Sequence, residues 1–213
     1  MKYRLEVRSV ALTNEPIERK HDRFLKGIAN LPSPWGAAGI VLAPDPEAEL
    51  VAILSASKFL GKGIKGHVVY QYRRYFRDEA AYDDWIDLTF NPSKIDYRAL
   101  AYDFFPHYVE AFGGYMATIS DDEFIYMDFE ERRRLKMDAR SSIYRIDPIS
   151  YFSDSLCKRG FGLSAKQVMK RLTGKVEDVR LGCGGVFIVL TSAALPTLEM
   201  DNICWEAKAH LSR

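Results

Sequence analysis

The chain has 213 residues, 47% apolar and 28% charged, with a formal net charge of +1. A sequence of this length can bury about 70% of its unfolded surface without disulfide or metal staples. Near-neutrality excludes a global electrostatic pull toward nucleic acid or anionic membranes. The three cysteines, Cys157, Cys183 and Cys204, are widely spaced and form no CxxC pair, which argues against a zinc ribbon or a disulfide scaffold. They are expected to be reduced thiols.

In the first residues, Tyr3, Leu5 and Val7 alternate with Lys2, Arg4, Glu6 and Arg8, the period-two pattern of a half-buried strand. There is no apolar core of a signal peptide here. The longest apolar run, Val186 to Leu190, is too short to span a bilayer, so the expected location is cytoplasmic. A helix is predicted from Ile17 to Ile28, with Phe24, Leu25 and Ile28 as its apolar stripe. The prolines and glycine of 30–36 predict a loop. Gly39 to Leu42 and Leu50 to Leu54 predict a strand pair turned by Ala43 to Pro46. Another strand is expected from His67 to Arg74, and a short helix from Asp78 to Leu88 carrying Tyr82, Trp85 and Ile86.

A longer helix is predicted from Asp96 to Phe112, kinked or stopped early by Pro106 and ended at Gly113-Gly114. Tyr115 to Ile119 and Phe124 to Phe129 predict strands around the turn 120–123. Ser164 to Gln167 forms a capping box that opens a helix through Leu172. A strand through Val179 and Leu181, a glycine turn at 182–185, a buried strand at 186–190 and a terminal helix behind Pro196 follow. The sum is an α+β fold: a mostly antiparallel sheet flanked by helices, in a single domain 1–213 with possible lobes 1–145 and 146–213.

Little in this pattern points to bond-making chemistry. His21, His67, His107 and His210 are isolated, and no HExxH occurs. Cys183 precedes a strand rather than a helix and lacks flanking cations that would lower its pKa. Gly61 to Gly66 has the composition of a phosphate loop without its GxxxxGK[ST] spacing. Tyr70 to Arg77 mixes aromatics with arginines, but an acidic segment follows, which weighs against nucleic-acid binding. No catalytic residue, metal ligand or cofactor is expected. One feature stands out: Asp121, Asp122, Glu123, Asp128, Glu130 and Glu131 come without an intervening Lys or Arg, then Arg132, Arg133, Arg134 and Lys136 follow. The bland reading is a solvated charged face. The alternative is an acidic patch that docks a basic partner, helped by aromatic residues such as Trp85 or Tyr126.

The segment Ile149 to Leu163, followed by the capped helix, by Gly185 to Val189 and by a charged and apolar terminal helix, resembles the C-terminal part of a family of bacterial immunity proteins. These are encoded beside polymorphic toxins of type VI or contact-dependent secretion, and the class in question accompanies nucleases of restriction-endonuclease-like fold. The resemblance covers about the last third of the chain. It implies a non-enzymatic, cytoplasmic inhibitor without a cofactor, whose partner is a cognate nuclease toxin rather than nucleic acid or membrane. It brings no catalytic motif. A small hydrolase and a structural or adaptor protein of a secretion or phage apparatus are the competing classes. A deep pocket holding His67 or His107 against a carboxylate would favour the hydrolase.

Overall fold

A computed structural model describes residues 2–39, 41–44, 51–71, 73 and 77–211, apart from the side chain of Ile125. The fold is α+β, built on one eight-stranded antiparallel sheet in the order β2-β3-β4-β1-β5-β6-β8-β7. The strands are β1 (Tyr3–Val10), β2 (Val51–Ser55), β3 (Lys65–Gln71), β4 (Asp83–Phe90), β5 (Met116–Asp121), β6 (Ile149–Ser153), β7 (Asp178–Gly182) and β8 (Gly185–Val189). The helices are α1 (Ile17–Ile28), α2 (Tyr97–Ala99), α3 (Phe105–Phe112), α4 (Asp122–Arg134), α5 (Asp154–Phe161), α6 (Ala165–Leu172) and α7 (Thr197–Leu211). The β5–β6 ladder joins residues 116–119 to 149–152, so the expected lobes 1–145 and 146–213 share one sheet.

Alternation along β1 decides which side of the sheet does what. Tyr3, Leu5 and Val7 are fully buried and meet Phe24 and Ile28 of α1 and Phe105, Tyr108 and Phe112 of α3. Arg4, Glu6 and Arg8 point to the opposite face. There, at the β5-β6-β8 end, Met116, Phe152, Val186 and Ile188 form a second core with α5, α6 and α7. The remainder of that face, over β1 and β4, is polar.

Several local predictions hold because their signals are short-range. Both reciprocal bonds of the Ser164–Gln167 capping box form at α6. The 182–185 turn holds Cys183 at φ 50° and Gly184 at φ 73°, as a primed hairpin turn requires. Pro106 lies in the first turn of α3, directly after a π-turn at Leu100–Phe104 that absorbs the missing donor.

Two expectations are corrected. The predicted helix over Asp78–Leu88 is mainly strand β4. Its acidic residues disguise the pattern, because Asp83 and Asp84 are buried ion-pair partners rather than a solvated helix face. The predicted strand over Phe124–Phe129 is helix α4. Asp121 caps it by accepting from the Glu123 amide at 3.1 Å, and acids at its start with arginines at its end match the helix dipole. Helix α5 and strand β6 had no prediction. The strand expected at Gly39–Leu42 with its turn, and the Tyr70–Arg77 segment, lie partly outside the described residues.

Candidate functional site

The polar stretch of the sheet is set by strand register. Glu6 faces Asp87 on one side and Thr118 on the other; Arg8 faces Trp85 and Met116; Arg4 faces Thr89 and Ser120. Like charges directly opposite in a ladder repel, so the Glu6–Asp87 pair needs compensation. Arg4 donates to Asp87 at 3.1 Å and Arg8 donates to Glu6. Burial raises the Asp87 carboxyl above its ordinary value, Arg4 opposes that, and Glu6 adds to it.

Helix α4 stands beside this stripe, held from both ends. Arg4 grips Asp122 at 2.7 and 3.0 Å near its start. Further along, Arg145 is 3% exposed, pairs with Asp128, reaches Asp201 of α7 at 2.7 Å, and lies over the Phe124 ring at 4.3 Å. The tethers leave one side of α4 bare. Tyr126 is 81% exposed, Met127 67% and Phe129 55%. Large apolar groups this open, clustered on one helix, mark an interaction surface more often than scattered ones do.

Between α4, the 136–147 segment and the polar stripe lies a cleft of about 520 Å³. Trp85, Arg4 and Arg8 belong to its floor, and Phe129, Arg132 and Lys136 to its wall. Asp147 also lines it, and burial pushes its carboxyl up to about 6 against the pull of Arg145.

The residues anticipated for docking are therefore divided by the structure. Asp121 is buried as the α4 cap and accepts a bond from Thr197 at 3.2 Å. Asp122 and Asp128 are engaged by Arg4 and Arg145, and Glu131 by Arg134 in a two-pronged bond. Glu130 has Arg133 at 3.9 Å, both widely exposed. Glu123 and Tyr126 face solvent. Trp85 does not share their surface; it is half-buried beneath the cleft. Met127, Phe129 and the cleft cations carried no sequence expectation. Their signal was the charged alternation of β1 and the Tyr-Met-Asp-Phe run, legible only once helix replaces strand.

The histidines differ too. His21 is a core residue, with Nδ1 2.9 Å from the Tyr70 hydroxyl and Nε2 3.1 Å from the Val41 carbonyl. His67 lies opposite Asp87 in the β3–β4 ladder, on the open face beyond the cleft and without a hydrogen bond to that carboxylate among the described residues. Among the described residues no group of three His, Cys, Asp or Glu side chains has metal-binding geometry, and no helix is long and apolar enough to cross a membrane.

Compared with protein-family models, curated proteins and solved structures, the chain matches none.

Proposed function

We propose that this chain is an immunity protein that binds and neutralises a cognate nuclease toxin, docking through the outward side of α4. One observation carries the reading: Tyr126 and Met127 are displayed beside Glu123 and Glu130 on a helix whose other side is fastened by buried charge. Tyrosine offers a large contact area at low entropic cost, and methionine adapts to the opposing shape. A nuclease exposes a basic surface where it meets the phosphate backbone. Two glutamates flanking an aromatic anchor complement such a surface and speed association with it. The resemblance read from Ile149 to Leu163, the capped helix, Gly185 to Val189 and the terminal helix favours the same class.

The test is co-expression with the nuclease encoded beside this chain, scored by growth rescue and co-purification, then titration of the purified pair. Tyr126→Ala is expected to weaken binding by about 2 kcal/mol, as an anchor residue does. The Glu123→Lys/Glu130→Lys double variant is expected to slow association and to reduce its salt dependence. Rescue and affinity left intact by both variants would remove α4 from the interface; absence of any complex would remove the function.

A further inference from the structure

The cleft behind α4 is a different surface from its outward side, and its chemistry points to a different ligand. Along its lining, cationic side chains outnumber carboxylates six to four. Most of these charges are spoken for: Arg4 by Asp87 and Asp122, Arg8 by Glu6, Arg145 by Asp128 and Asp201. Arg132 and Lys136 form no ion pair among the described residues, and Arg133 has only the distant contact to Glu130. Asp147 is the one lining carboxylate without an ion pair among the described residues, so the uncommitted charge of the cleft is net positive, and its cations are concentrated on one wall, at the C-terminal end of α4. That end already carries the negative pole of the helix dipole, which holds cations there without a carboxylate partner.

The floor opposite this wall offers something else. Trp85 is part-exposed there, separated from the lining residue Met116 of β5 by Arg8, with Phe129 on the wall side. Aromatic faces and a thioether stack on planar rings. A volume of about 520 Å³ suits a small molecule. Arginine and lysine together favour a multiply charged oxyanion over a carboxylate, since guanidinium forks match phosphate oxygens and the ammonium adds a mobile point charge.

We infer that this cleft binds a phosphate monoester carrying a planar aromatic ring, of mononucleotide size, with the ring against Trp85 and the phosphate between Arg132, Arg133 and Lys136. The Trp85 floor lies off the docking side of α4, while Phe129 and Arg133 border both surfaces; binding in the cleft requires no toxin.

Adenosine 5′-monophosphate, adenosine and inorganic phosphate serve as probes on the full chain, followed by calorimetry and by tryptophan fluorescence. Trp35 is buried and Trp205 lies on α7, so a Trp85→Phe variant identifies the responding indole. Saturable binding of the monophosphate is expected, with adenosine and phosphate each weaker by about tenfold or more. Arg132→Gln/Lys136→Gln changes two surface side chains that carry no ion pair, so it is expected to fold and to weaken the monophosphate by about tenfold or more. No saturable binding up to about 5 mM would overturn the assignment. So would affinity indifferent to the double variant, inorganic phosphate binding as tightly as the monophosphate, or a fluorescence response that survives Trp85→Phe.

Discussion

Arg145 is the pin through which α4 is fixed to the rest of the molecule, and its removal gives a calculable result. The guanidinium is 3% exposed and serves Asp128 of α4 and Asp201 of α7. In Arg145→Met the stem and its packing over Phe124 are largely kept, while both carboxylates lose their partner. Stripping one member from a buried pair costs about 3–5 kcal/mol when the other charge stays buried. Here Asp201 is 39% exposed and is resolvated, whereas Asp128 at 16% is not. The expected loss is therefore at the lower end, about 3 kcal/mol. With a urea slope of about 2–3 kcal/mol per molar for a chain of this size, the unfolding midpoint falls by about 1 M. Hydrogen exchange adds a spatial prediction, namely that amides of α4 lose protection before those of β1 and β4. Asp128→Asn, which leaves Arg145 its second partner, should cost less than Arg145→Met. A midpoint moved by less than about 0.3 M, or equal costs for the two variants, would refute the pinning argument.

Three further outcomes are expected. Asp84 is fully buried and accepts from Lys20 at 2.7 Å, from both terminal nitrogens of Arg73 at 2.6 and 2.8 Å and from the Gln71 amide at 2.8 Å. Asp84→Asn strands a buried ammonium and should cost about 3–5 kcal/mol, while Lys20→Met leaves Asp84 its remaining donors and should cost clearly less; chemical denaturation showing the reverse order would refute this. Lys136 occupies the left-handed position of the α4 terminus at φ 51°, its amide bonded to the Arg133 carbonyl and that of Met137 to the Arg132 carbonyl. Lys136→Gly should raise stability by about 0.5–1 kcal/mol in a thermal melt while weakening the monophosphate, a split that a purely structural lysine would not give. Burial raises the Asp147 carboxyl to about 6 from 3.8, so between these values the folded chain holds more protons than the unfolded one and stability falls as pH rises. Asp147→Asn removes that slope; measured against the parent, it should be about 2–3 kcal/mol more favourable at pH 7.5 than at pH 4, and a difference that ignores pH would refute the reading.

How far these features were legible in the sequence depends on the range of the forces that made them. The Ser164 box, the 182–185 turn and the α1 stripe act within a few residues, and each was correctly anticipated. Strand β4 is hidden in the sequence because Asp83 and Asp84 look like solvent-facing acids. Their burial depends on Arg140 and Lys20, which are 57 and 64 residues distant in the chain. Helix α4 is masked because Phe124 and Tyr126 alternate as in a strand, although the acid-to-base polarity of 122–134 is a helix signal in the sequence itself. The cleft needs both corrections at once. Its floor comes from the pairing of β1 with β4, and its wall from a helix where a strand was expected.

The correction of α4 also changes what its charges mean. As a strand, the acids would have divided by alternation, with Asp121, Glu123 and Glu131 on one face and Asp122, Asp128 and Glu130 on the other. As a helix, they divide by angle: Asp121, Asp122 and Asp128 turn inward to cap and tether, while Glu123 and Glu130 turn outward. Any partner attracted to this surface meets two glutamates around Tyr126 and Met127, with the arginines of the last turn close by. A uniformly basic partner would be repelled at that last turn. The favoured orientation therefore places the partner's cations over the first two turns of α4 and its apolar side chains against Tyr126. Reversal of Arg133 and Arg134 to glutamate should accordingly strengthen the complex rather than weaken it, and a weaker complex would show that the partner's charge runs the other way.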